Sequence, residues 1–288
     1  MMLDRNDPEY LREQQYRDAG NLNARIALHE RFSTNTGDIH RWIFDHLLAA
    51  LPAEARLVEV GCGPADLWRK NLDRLPAGWS VMLTDFSPGM LDAAKAALSG
   101  HEDQFTVEQA DVQALPFADG AFDAALANFM LYHVPDRPQA IGELARVLAP
   151  GGRLFAATNG ERHMAELDAL LAPHVAELAG GEQSSFGLTL AFSLRNGAAQ
   201  LAPFFADVAL DRWPDALAVT EAEPLIAYVR SMAAGMALPP ALEAGVEAEI
   251  RARIARDGAI RIGKESGLFT ATKATTTLPS TPHAAAPA

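Results

Sequence analysis

The chain has 288 residues, 49% of them hydrophobic and 21% charged, which supplies apolar side chains for a sizeable core and excludes a disordered or fibrous chain. Its net charge of -13 opposes a phosphate backbone and its Lys and Arg are scattered, so nucleic acid is not an expected partner. The single cysteine, Cys62, excludes an intrachain disulfide and a cysteine-built metal centre and suits a reducing cytoplasm; no stretch reaches the roughly 18 apolar residues of a membrane span, and the charged first residues hold no apolar export signal.

Two helices come first. Leu22, Ile26 and Phe32, then Ile39, Trp42, Ile43 and Leu47, recur at helical spacing, and each set makes one buried stripe. Short apolar strands then alternate with helices, at 56–60, 80–84, 105–109, 122–127 and 153–157. That alternation predicts α/β architecture with a doubly wound, mostly parallel sheet. Ser87 followed by Pro88 marks a helix start, and Ala149-Pro150-Gly151-Gly152 is read as a turn that ends a helix over 137–148 and leads into the fifth strand. Beyond Asn159 the sequence predicts a helix over 162–178, a strand over 207–212, a Thr220-x-x-Glu223 capping box opening another helix, a helix over 242–256 and a last strand over 268–272. The helices beyond the fifth strand are not needed to complete a sheet. With the N-terminal pair they are read as a lid over the strand ends, where α/β folds bind ligands. The resulting partition is an N-terminal helical cap over 1–52, an α/β domain over 53–273 with lid insertions around 160–200 and 213–257, and a disordered low-complexity tail over 274–288.

The strongest chemical signal is Leu57-Val58-Glu59-Val60-Gly61-Cys62-Gly63-Pro64-Ala65-Asp66, a strand running into a glycine turn and a helix. Gly61 and Gly63 allow a sharp turn and close backbone approach to a ligand. A dinucleotide fingerprint requires Gly or Ala at position 66, where Asp66 stands and would oppose a pyrophosphate, and the Lys-Ser/Thr pair of a phosphate loop is missing. The turn is instead surrounded by acids. Glu59 closes the first strand, Asp85 the second, and Asp111 follows the third, a pattern that suits a phosphate-free nucleoside carrying cationic groups. Asp85 is placed to accept from ribose hydroxyls; Asp111 suits an adenine amino group or a simple turn cap; Glu59 suits an ammonium; Phe86 and Met90 offer apolar flanks for the base.

At these residues the sequence resembles the class I S-adenosylmethionine-dependent methyltransferases. The likeness lies in VEVGCGPA, LTDFSPGML, QADVQALPF, FDAALANFMLYHV and LAPGGRLF, in that order, over residues 56–157. One departure is Ala65, where the family loop has its third glycine. The resemblance implies a Rossmann-like, seven-stranded sheet with helices forming a lid, and S-adenosyl-L-methionine held by Glu59, Gly61, Gly63, Asp85, Asp111 with Val112 beside it, and Asn128. The segment YRDAGNLNARIALHERF is similar to the cap of small-molecule members and implies that Tyr16 and Arg25 reach the methionine carboxylate.

Methyl transfer from a sulfonium asks the protein to align a nucleophile, exclude water and, where needed, take a proton. Candidate catalytic residues are His133, His163 and Tyr132, with Asn128 and Asn159 as orienting groups and Phe129 or Tyr132 as a cation-π face worth about 0.5 to 2 kcal/mol. Each has a plainer reading. His133, within LYHV, fits packing better than base catalysis; His163 and Tyr228 fit either; His174 caps or packs; Cys62 is a small filler between glycines. No His/Asp/Glu spacing indicates a metal. The expected function is methyl transfer to an O, N or C atom of a small molecule. The rivals are other chemistry on the same cofactor, such as cyclising or cleaving its aminobutyl chain, and a non-catalytic cofactor-binding module. Oligomeric state is left open.

Overall fold

The computed structural model describes residues 20–179, 191–233 and 239–275. Its elements in chain order are α1 (Gly20–Phe32), α2 (Ile39–Ala50), β1 (Glu54–Val60), α3 (Asp66–Arg69), β2 (Gly78–Asp85), α4 (Pro88–Ala97) and β3 (Phe105–Gln109). They continue with β4 (Phe122–Leu126), α5 (Arg137–Val147), β5 (Leu148–Asn159), α6 (Ala165–Ala179), α7 (Gly197–Leu201), β6 (Ala206–Val219), α8 (Ala222–Ala233), α9 (Pro240–Asp257) and β7 (Ile260–Thr272). The seven strands form one sheet in the order β3-β2-β1-β4-β5-β7-β6, with β1 to β5 parallel and β7 antiparallel between β5 and β6. Strand order reverses between β1 and β4, so a crevice opens at their carboxyl ends, immediately above the glycine turn.

Local chemistry sets the helix starts. Asp38 accepts from the amides of His40 and Arg41 to open α2, Ser87 Oγ accepts from Met90 N ahead of α4, and Asp136 accepts from Gln139 N ahead of α5. The sheet has a core on each face. Val58, Val60, Ile141, Leu144, Leu154 and Phe269 fill one, and Phe44, Leu57, Trp68, Trp79, Leu83 and Phe155 the other.

A third core lies apart from the parallel strands. Leu28 and Phe32 of α1, Leu167 and Leu170 of α6, Leu225 and Tyr228 of α8, and Val246 and Ile250 of α9 close around Leu217, Val219, Ile260 and Ile262. It stands on a ribbon. β5 ends its pairing with β7 at Asn159 opposite Ser266, whereas β6 and β7 remain paired out to Val219 opposite Ile260. The ribbon therefore projects past the carboxyl ends of the parallel strands, and helices wrap it.

Several elements differ from the sequence reading. The strand expected over 207–212 runs to Val219, through Pro214. Proline is tolerated there because β6 is an edge strand and needs no ladder donor on its outer side. Ala149–Gly152 lies within β5 as an irregularity, with Gly151 at φ 79°, rather than as a turn before the strand. The helix expected from a Thr220 cap starts at Ala222, and Glu223 pairs with Arg251 of α9 instead of reaching back. The N-terminal helices divide between the layers. α1 joins the third core, while α2 lays Ile43, Phe44 and Leu47 on the sheet. Residues 276–288, most of the expected tail, lie outside the described residues.

Candidate functional site

The glycine turn is stitched to β2. Cys62 N donates to Thr84 O (3.0 Å) and Gly63 N donates to Asp85 Oδ2 (2.9 Å). Gly61 and Gly63 have φ of 62° and 53°, and the two differ in surroundings. A Cβ on Gly61 would stand 2.9 Å from the Met130 side chain, whereas one on Gly63 would meet nothing within 4 Å. Gly61 is required by packing, and Gly63 faces open space. Ala65 holds the same left-handed backbone, φ 60° and ψ 35°, at a cost of about 1–2 kcal/mol that its fully buried methyl offsets in part.

The acids play different parts. Asp85 Oδ1 accepts from Ser87 N (2.8 Å), so both carboxylate oxygens already brace backbone, and burial raises its pKa against those bonds. Glu59 is 3% exposed; its Oε2 accepts from Trp68 Nε1 (2.5 Å) and its Oε1 from Asn128 Nδ2 (2.8 Å). Desolvation outweighs those two donors and pushes the Glu59 carboxyl up to about 7. Asn128 is thus held by its amide nitrogen, and its Oδ1 is sealed from solvent with no partner among the described residues. Asp111 stands at the end of β3, whose following amide, Ala110 N, donates to Asp85 O (3.3 Å). Its side chain closes a turn, accepting from Gln113 N (2.8 Å) and Gln113 Nε2 (3.1 Å). Phe86 is 38% exposed beside Asp85, whereas Met90 and Val112 are buried. Phe129, next to Asn128, carries φ 55°, an uncommon conformation for a bulky residue.

Residues 58–156 match a family model described as a methyltransferase domain. Over 109 residues the chain is 45% identical to a demethylmenaquinone methyltransferase of Thermus thermophilus, covering 37% of this chain and 48% of that protein. Over 106 residues it is 33% identical to a ubiquinone/menaquinone biosynthesis C-methyltransferase UbiE of a Geobacter species, covering 36% and 45%. This region is thus similar in sequence to methyltransferase domains. It spans about half the length of the curated relatives it matches. The YcgJ protein from Bacillus subtilis shares the fold, with a TM-score of 0.56 at 18% identity over 82% of this chain and 99% of that one.

S-adenosyl-L-methionine, the cofactor that the methyltransferase likeness implies, fits the groups present. Open space before Gly63 admits close approach, the Asp85 carboxylate stands at the end of β2, and the orphaned Asn128 Oδ1 calls for a hydrogen-bond donor, which an ammonium supplies.

On the lid side, His133 sits in a 3-10 turn, Leu131–His133, with its ring 4.6 Å from Tyr132. Burial, then the nearby Arg25 charge, lowers the His133 pKa to about 4, so its imidazole is neutral. His163 accepts at Nδ1 from Glu265 N (3.2 Å), and burial with the Lys264 charge also lowers its pKa to about 4. Asn159 is taken up by Ser266 Oγ (2.8 Å), which ties β5 to β7. Arg25 donates from Nε and Nη2 to Oγ and O of Ser231 in α8 (3.2 and 3.0 Å). Tyr16 lies outside the described residues. Cys62 is buried with its thiol pKa raised, as suits a filler. Among the described residues no cluster of three or more His, Cys, Asp or Glu is arranged for a metal, and no helix is long and apolar enough to cross a membrane.

The sequence reading missed Trp68 as the partner of Glu59, the buried Lys264–Asp215 pair in the ribbon, and His29. The last carried one signal: His29 lies four residues after Arg25 and so shares its helix face.

Proposed function

We propose that this chain transfers the methyl group of S-adenosyl-L-methionine to a small-molecule acceptor bound under the lid. When bound, the cofactor supplies an electrophilic methyl on a sulfonium that leaves readily. The observation that carries the reading is the glycine turn braced by Asp85, with open space before Gly63 and the unsatisfied Asn128 acceptor nearby. In this reading Asp85 takes the ribose diol, Gly61 and Gly63 admit the methionine portion, Asn128 and Glu59 serve its ammonium, and Phe86, Met90, Asp111 and Val112 bound the adenine. Glu59 acts through Asn128, since its carboxyl is buried and both its oxygens are already engaged, whereas Asp85 is part-exposed. The lid closes the crevice against water and holds the acceptor, which favours a small molecule over a macromolecule. The two curated relatives, both named for quinone methylation, support a small acceptor.

The test is twofold. Calorimetry with S-adenosylhomocysteine is expected to give a 1:1 complex, and incubation with methyl-labelled cofactor and small-molecule pools is expected to label a product. No complex overturns the reading. A complex whose turnover releases methylthioadenosine or a cyclised aminobutyl fragment, without methyl transfer, replaces it with the alternative chemistry, and a complex without turnover replaces it with a binding module.

A further inference from the structure

The helices around the ribbon enclose polar groups that their apolar core does not require. Lys264 of β7 stands opposite Asp215 of β6, and their side chains are 10% and 2% exposed. Asp215 is fully engaged: Oδ2 accepts from Lys264 Nζ, while Oδ1 accepts from Ser33 Oγ (2.6 Å), Ala216 N (2.7 Å) and Asn35 N (3.2 Å). Lys264 is not. Asp215 is the one hydrogen-bond partner of its ammonium among the described residues, so two of its three N–H groups remain available.

Two histidines stand beside this pair. The Lys264 charge acts on both rings, His29 of α1 and His163 in the turn after β5, whose centroids are 6.4 Å apart. Each residue keeps some accessible surface although protein surrounds its ring, the condition of a group that lines an enclosed space. Burial first, then that charge, lowers the pKa of His29 to about 3 and of His163 to about 4, so both imidazoles are neutral. His163 accepts at Nδ1 from Glu265 N (3.2 Å), which fixes its proton on Nε2, and that N–H has no hydrogen-bond partner among the described residues. His29 Nδ1 is sealed from solvent and likewise unpaired, a condition that costs about as much as a lost hydrogen bond until something pairs with it. Arg25 is bonded to Ser231 and belongs to the contact between α1 and α8, not to this set of donors.

Charge and hydrogen-bonding capacity part company here. Asp215 balances the Lys264 charge at contact distance and both rings are neutral, so a buried anion would find no net attraction from these groups to offset its desolvation. The unused N–H groups of Lys264 and His163 still call for lone pairs, and a carbonyl oxygen carries two. His29 Nδ1, with its proton on Nε2, accepts a hydroxyl hydrogen.

We propose that this cluster is the acceptor's binding site and selects an uncharged hydroxycarbonyl compound, its carbonyl oxygen held by Lys264 and His163 and its hydroxyl donating to His29. The inference rests on the methyltransferase reading and deepens it by naming the acceptor's class. In it Lys264, His163 and His29 are specificity residues, and His163 serves as a donor, not a base.

The test titrates the full chain, saturated with S-adenosylhomocysteine, with 3-hydroxyacetophenone and three analogues: 3-isopropenylphenol lacks the carbonyl oxygen, 3-hydroxybenzoate carries a charge, and acetophenone lacks the hydroxyl. The hydroxyketone is expected to bind at least about tenfold more tightly than each analogue. His163→Asn keeps an amide oxygen for Glu265 N and removes the Nε2 donor. It and His29→Phe are each expected to weaken the hydroxyketone by at least about tenfold while leaving S-adenosylhomocysteine affinity unchanged, and His29→Phe to erase the preference over acetophenone. In the wild-type chain the carbonyl carbon-13 resonance of the bound hydroxyketone is expected downfield of its position in water, because an ammonium polarises the oxygen more than water does. No binding of the hydroxyketone, an analogue that binds as tightly, an unmoved carbonyl resonance, or variants that bind it as the wild type does or lose S-adenosylhomocysteine overturns the proposal. A wild-type chain that binds no S-adenosylhomocysteine refutes the methyltransferase reading instead, and the same titration on the free chain then decides the carbonyl site alone.

Discussion

Glu59→Gln converts the burial of a single carboxyl into a measurable pH dependence. In the unfolded chain this group titrates near 4.5; in the folded protein burial raises its pKa to about 7. Between those values the folded state binds more protons than the unfolded one, so this group's contribution to stability falls as pH rises from 4.5 to 7 and stays at its lower level above that. At about 1.4 kcal/mol per pH unit, the interval amounts to roughly 3.5 kcal/mol. Glutamine does not titrate, but it sets an amide nitrogen against Trp68 Nε1 or Asn128 Nδ2, both donors, and so lowers stability at every pH. His29, His133 and His163 contribute with the opposite sign. Their lowered pKa values make the folded state bind fewer protons, so stability is lost as pH falls below 6.5, and this contribution is common to both proteins. The difference between them therefore isolates Glu59. Urea unfolding of wild type and Glu59→Gln from about pH 5 to about pH 8 is expected to show the wild-type advantage narrowing by roughly 2.5 kcal/mol. Parallel profiles would refute a buried, proton-holding Glu59.

Other substitutions read other parts of the site. Asp85→Ala removes the acceptor for Gly63 N and Ser87 N and is expected to weaken S-adenosylhomocysteine by at least about tenfold in calorimetry; unchanged affinity removes Asp85 from the site. Gly61→Ala and Gly63→Ala share a left-handed backbone, yet only the first meets Met130, so Gly61→Ala is expected to lower the melting temperature more, while Gly63→Ala chiefly lowers ligand affinity; equal losses in both measurements contradict the open space before Gly63. Lys264→Met strands Asp215 in the ribbon and is expected to cost about 3–5 kcal/mol in chemical denaturation, much of it recovered by adding Asp215→Leu; a neutral single variant shows that the pair is solvated.

Much of the sheet is legible in the sequence because β1 to β5 are short apolar runs with sharp punctuation. Gly61 and Gly63 after Val60, the Ser87-Pro88 helix start and Asp85 at a strand end are local signals, and each is in place. Legibility fades where a residue's role depends on a distant partner. Glu59 reads as a ligand acid, yet its oxygens are claimed by Trp68 and Asn128, 9 and 69 residues away. Asp111 reads first as a ligand for the adenine amino group and only second as a cap, and locally it is a cap. The ribbon escapes notice because Pro214, Asp215, Lys264 and Glu265 interrupt the apolar alternation that signals a strand, and only the packing of α1, α6, α8 and α9 shows that this half of β6 and β7 carries a core of its own. His29 shows no motif at all; it matters because a fold brings helix, turn and ribbon to one place.

That shared ribbon has a mechanical consequence. β6 and β7 pass without a break from the sheet into the roof above the crevice, so tilting the roof as a rigid flap would mean bending two long, mutually bonded strands. Under the proposed function, ingress and egress of small molecules fall to the helical walls, where Arg25 joins α1 to α8 through Ser231, and a lesion there is expected to alter exchange rates before it alters the ribbon.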